Sequence, residues 1–89
     1  MKQKTEVTIA GKRYSIVGEE KADYIKKIAQ YVDDKMAELM NQNNELTQDG
    51  AAVLTAINIA DEYFKAEENA DSLRKQIVEL MQLPNKKSN

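Results

Sequence analysis

Any chemistry at neutral pH would have to come from carboxylates and lysines, because the 89-residue chain contains neither cysteine nor histidine. That removes thiolate nucleophiles, disulfides and thiolate metal sites, together with the imidazole that serves as base or ligand near pH 7. What remains are three acidic pairs, Asp33-Asp34, Asp61-Glu62 and Glu67-Glu68. Paired carboxylates act as acid and base, or hold a cation, when they converge in a concave, partly dry site. Neighbours in a helical segment instead diverge by about 100° around the axis, so these pairs read as solvated faces. Gly11, Gly18 and Gly50 are isolated, which leaves no phosphate-cradling loop. The basic pairs Lys26-Lys27 and Lys86-Lys87 are short and interleaved with acids, the pattern of a solubilising surface. Lys12 and Arg13 differ, because they fall where a hairpin tip can present charge to an acidic partner. The sequence therefore predicts no catalytic residue, no cofactor and no metal site, and the chain reads as a binding protein rather than an enzyme.

The elements that place these residues follow from periodicity. Val7 and Ile9 alternate with Thr8 and Ala10, and the alternation resumes at Tyr14 and Ile16, which predicts a β-hairpin over about residues 5–17. Gly11 supplies a positive φ at the first central position of the turn, putting Lys12 at the tip and Arg13 beside it. An isolated hairpin needs support. Ile25, Ile28, Ala29, Val32, Met36, Leu39 and Met40 recur at helical spacing and predict a helix over about residues 20–40. Asn41 to Glu45 is polar, without apolar periodicity, and reads as a connector. Thr47 can cap a second helix with Gln48 and Asp49 in its first turn, and no breaker follows until Pro84. The expected organisation is a head over 1–46, a long helix over 47–84 and a disordered tail over 85–89. The fold class is α+β, a small hairpin-and-helix head followed by a long C-terminal coiled-coil helix.

That helix carries the most informative pattern in the chain. Ala52, Ala56, Ile59, Tyr63, Ala66, Ala70, Leu73, Ile77 and Leu80 alternate at steps of four and three, the seam of an oligomerising coiled coil. A second stripe, Val53, Ile57, Ala60 and Phe64, occupies the first half only, and past it the same positions become Glu67, Asp71 and Arg74. A helix from about 47 to 83 is roughly 55 Å long, against about 25 Å for a head of some 45 residues. Val53, Ile57, Ala60 and Phe64 are therefore expected to pack on the head, and the long seam on another subunit. Asp61 with Lys65 and Asp71 with Lys75 support the helix internally. Charge does not fix strand direction, and Val78 and Met81 widen the seam enough for a four-helix contact. The alternative is a monomeric core in which both stripes fold back on one another.

Composition agrees with association. Only 42% of the residues are hydrophobic and one is Phe, so a lone copy has little core to bury. The net charge of −2 and a pI near 5.1 argue against a sequence-independent nucleic-acid grip. No apolar run reaches membrane-spanning length and the polar start lacks a secretion signal, so a soluble cytoplasmic protein is expected.

The segments Val7-Thr8-Ile9-Ala10-Gly11-Lys12-Arg13-Tyr14-Ser15-Ile16-Val17-Gly18, Tyr24 to Met36 and above all Ala56-Ile57-Asn58-Ile59-Ala60-Asp61-Glu62 resemble the ZapA family of bacterial cell division proteins. The pieces come in family order and span nearly the whole chain. The resemblance implies a head of two strands and a helix, a long helix pairing in parallel as a homodimer, and two dimers meeting antiparallel as a homotetramer. It further implies that the heads bind FtsZ, that the assembly bundles FtsZ protofilaments at the mid-cell division site without hydrolysing nucleotide, and that Lys12, Arg13, Asn44 and Asp49 contribute to the contact. Other classes remain open, a prefoldin-like holdase or a generic coiled-coil adaptor. A prefoldin-like clasp, though, wants two flanking helices of similar length.

Overall fold

The structure, a computed structural model, describes residues 1–87. Strands β1 (Gln3–Ile9) and β2 (Lys12–Gly18) precede helices α1 (Ala22–Gln42) and α2 (Gln48–Lys87). The architecture is the α+β arrangement expected from the sequence. Two compact units divide the chain, Met1–Ala56 and the part of α2 from Ile57 onward.

In the first unit the strands pair antiparallel, with Ile9 opposite Lys12 and Gln3 opposite Gly18. Because side chains alternate across a sheet, this register places Thr5, Val7, Ile9, Lys12, Tyr14 and Ile16 on one face. Glu6, Thr8, Arg13, Ser15 and Val17 take the other. Helix α1 packs on β1. Thr5 and Val7 are buried there, as are Ala29 and Met36, two helical turns apart on α1. Strand β2 is exposed over nearly its whole length.

The connector is held locally. The Asn43 N–H donates to the Leu39 carbonyl at 3.2 Å, closing α1, and Asn43 Oδ1 accepts the Glu45 N–H at 3.0 Å. Thr47 Oγ1 accepts the Gly50 N–H at 3.0 Å, the capping bond that starts α2 at Gln48.

Two expectations are corrected here. The hairpin loop is Ala10-Gly11, with φ of 52° and 80°. Positive φ at both central residues is the type I′ condition, whose twist matches that of the strands. Gly11 therefore takes the second central position, and Lys12 opens β2 instead of forming the tip. On α2, the residues buried in the first unit are Ala51 and Thr55, whereas Val53 is 60% exposed. Ile57, Ala60 and Phe64 belong to the second unit and are exposed within it. Val53 lies two residues from Ala51, about 200° around the helix, so one face cannot bury both.

Helix α2 also runs through Pro84 to Lys87. Pro84 forfeits one amide hydrogen bond without ending the helix. Of the expected tail, 85–87 thus belong to α2, and Ser88 and Asn89 lie outside the described residues.

The second unit is helical throughout its described length. Lys65 Nζ meets Asp61 Oδ2 at 3.0 Å, and the hydrogen bond it donates to Asp61, with that carboxylate's charge, raises the Lys65 pKa. Arg74 takes Asp71 at 2.8 Å, one position before the lysine expected as its partner. Both pairs follow helical i,i+3 or i,i+4 spacing and, exposed as they are, contribute modestly.

Candidate docking groove and self-association seam

The four positions singled out for binding do not form one patch. Lys12 and Asp49 border the same groove, an open cavity of about 290 Å³ floored by Ile9, Tyr14, Ile16, Val32, Met36 and Ala52. It exists because β1 sits on α1 while β2 extends past it, leaving Tyr14 45% and Ile16 38% exposed on the sheet's inner face. The first turn of α2 supplies the remaining wall through Gln48 and Asp49. An apolar floor with a cation and an anion at its margin suits docking of a polypeptide surface. Among the described residues no group of three or more acidic side chains is arranged to hold a metal ion.

Arg13 stands on the opposite sheet face. Its Nη2 lies 3.6 Å from Glu6 Oε1, and Glu6 Oε2 accepts a 2.6 Å hydrogen bond from the Ser15 hydroxyl. Asn44 is exposed in the connector and does not line the groove.

Two residues that sequence reasoning assigned to a solvated face and to an ordinary first turn turn out to hold the hairpin. The Ala10 N–H donates to Asp33 Oδ1 at 2.7 Å, and Gln48 Nε2 donates to the Ala10 carbonyl at 2.8 Å. Alanine in the left-handed region costs about 1–2 kcal/mol. A hydrogen bond to a charged acceptor contributes about 1.5–3 kcal/mol, enough to hold Ala10 there. Local sequence carries no sign of this, since the partners are 23 and 38 residues away.

The seam residues lie on α2. Leu73, Ile77 and Leu80 are each more than half exposed, and Tyr63 stands edge-on to Phe64 with ring centroids 5.2 Å apart. A row of large apolar side chains left in solvent marks an interaction surface. Among the described residues no helix is long and apolar enough to cross a membrane.

Comparison with known proteins places this arrangement. Residues 5–87 match the family described as cell division protein ZapA. The chain is 41% identical over 78 residues to the cell division protein ZapA of Bacillus subtilis (strain 168), covering 88% of this chain and 92% of that one. It is 45% identical over 76 residues to that of Geobacillus kaustophilus, covering 85% and 84%. A solved structure, a ZapA mutant dimer from Geobacillus stearothermophilus, aligns with a TM-score of 0.69 at 42% identity, over 86% of this chain and 90% of that one. With a matching family over residues 5–87 and a relative 41% identical over most of both chains, this chain belongs to the ZapA family of cell division proteins.

Proposed function

We propose that this chain is a non-enzymatic division accessory protein that binds FtsZ and cross-links its protofilaments in the cytoplasm at mid-cell. The observation that carries the reading is family membership over residues 5–87, to which the geometry adds a groove margined by Lys12 and Asp49. The first unit docks on FtsZ. The α2 seam from Ala52 to Leu80 joins copies as a parallel dimer, and two dimers meet antiparallel. The dimeric Geobacillus stearothermophilus structure supports self-association. Linked docking sites turn weak single contacts into strong bridging, since a bound first site raises the effective concentration of the second.

The test is co-sedimentation of purified chain with polymerised FtsZ across protein concentrations. The wild-type chain should pellet with the polymer and saturate. Lys12→Glu should bind on the order of tenfold more weakly, the equivalent of one lost charge contact, at unchanged oligomeric mass. No pelleting of the wild-type chain overturns the reading, and undiminished pelleting of the variant removes Lys12 from the contact.

A further inference from the structure

We propose that Asp33 and Gln48 are positioning residues: by gripping the two backbone groups of Ala10 they fix the hairpin turn, and through it Lys12, against both helices. The inference rests on the FtsZ-binding reading above and concerns how that contact is presented. The Ala10 N–H is held by Asp33 on α1 and the Ala10 carbonyl by Gln48 in the first turn of α2. One residue thus ties the turn to two other elements. Its neighbourhood is only partly buried, so water could satisfy both groups. The bonds therefore do more than complete a hydrogen-bond inventory. They decide where the turn lies.

The need for such a tie follows from the sheet. A two-stranded hairpin is marginal alone, and while β1 is anchored on α1 through Thr5 and Val7, β2 is exposed along nearly all of its length. Ala10 at φ 52° lacks the Asn or Gly that would favour this turn unaided. Lys12 begins β2 two residues later and shares the groove margin with Gln48 and Asp49. Releasing Ala10 would let the start of β2 swing, and Lys12 with it, leaving β1 seated.

The experiment compares FtsZ co-sedimentation of the full chain with that of Asp33→Ala, Gln48→Ala and Asp33→Asn, with mass by light scattering and exchange of the Ala10 amide by NMR. Both alanine variants should bind about five- to tenfold more weakly, in proportion to a lost hydrogen bond, with unchanged mass. The Ala10 amide should exchange faster in Asp33→Ala. Asp33→Asn keeps an oxygen acceptor but loses its charge, and should fall between the wild type and Asp33→Ala. In a Lys12→Ala background, Asp33→Ala should add no further loss, because it acts through Lys12. Should Asp33→Ala fail to fold, Gln48→Ala removes the other tie and carries the same expectation. Wild-type binding by both alanine variants, or a full additive loss on top of Lys12→Ala, overturns the inference while leaving FtsZ binding intact. Failure of the wild-type chain to bind overturns both.

Discussion

At the scale of single residues, Ala10 is the position where local preference and the observed backbone disagree most. Its φ of 52° brings an L side chain close to the following carbonyl, a crowding that glycine escapes. Ala10→Gly keeps both backbone groups that Asp33 and Gln48 grip. It should therefore stabilise the fold by about 0.5–1 kcal/mol, the relief of strain exceeding the added freedom of the unfolded chain. Chemical denaturation at one fixed protein concentration would show this as a higher midpoint with unchanged slope. A lower midpoint would mean that the turn is not strained at Ala10. The same residue explains why the hairpin was legible but its tip was not. Alternation of Val7, Ile9, Tyr14 and Ile16 reports strands through a local period of two, and the observed register agrees with it. The turn is selected by bonds from residues 23 and 38 positions away, which no local pattern carries. Placing Gly11 one position early then displaced Lys12 to the tip.

At the scale of elements, the start of α2 was legible and its buried face was not. Thr47 caps through a bond spanning three residues, Gly50 N–H to Thr47 Oγ1 at 3.0 Å, so the signal lies within a few letters of sequence. Thr47→Ala should cost about 1 kcal/mol, whereas Thr47→Ser, which keeps the acceptor, should cost a few tenths at most. Thermal or denaturant unfolding of the two variants side by side measures the difference, and equal stabilities would show that the cap contributes nothing. The face of α2 depends on a different quantity. A hydrophobic stripe favoured Val53, Ile57, Ala60 and Phe64, yet Ala51 and Thr55 are the residues at 0% and 2% exposure. Thr55 is buried with its Oγ1 unpartnered, a choice that hydrophobicity alone would never predict. Both are small side chains, which a helix can bury completely in little space. The docking candidates divide for a related reason. Lys12 and Arg13 are adjacent in sequence and so face opposite sides of the sheet; only Lys12 reaches the groove.

At the scale of the whole molecule, association has to account for the apolar side chains that the chain leaves in solvent. Val53, Ile57 and Phe64 join Leu73, Ile77 and Leu80 in that exposed set, so more of α2 is available to other copies than the heptad seam alone suggested. Burying Leu73, Ile77 and Leu80 is worth about 1.5–3 kcal/mol each before the entropy of association is subtracted. A carboxylate placed among them would lose that burial and in addition carry an unpaired charge into an apolar contact, a cost of several kcal/mol. Ile77→Glu should therefore dissociate higher assemblies at micromolar concentration. The first unit should stay folded, because Ile77 is remote in sequence from Val7, Ala29, Met36 and Ala51, which form its core. If bridging of FtsZ filaments arises from valency, the same variant should lose bundling while each first unit retains its single-site contact. Light scattering of FtsZ polymers reports bundling, and sedimentation of the chain alone reports its mass. Wild-type bundling by a variant shown to be dissociated would separate the two properties, and bridging would then have to reside in the first unit alone.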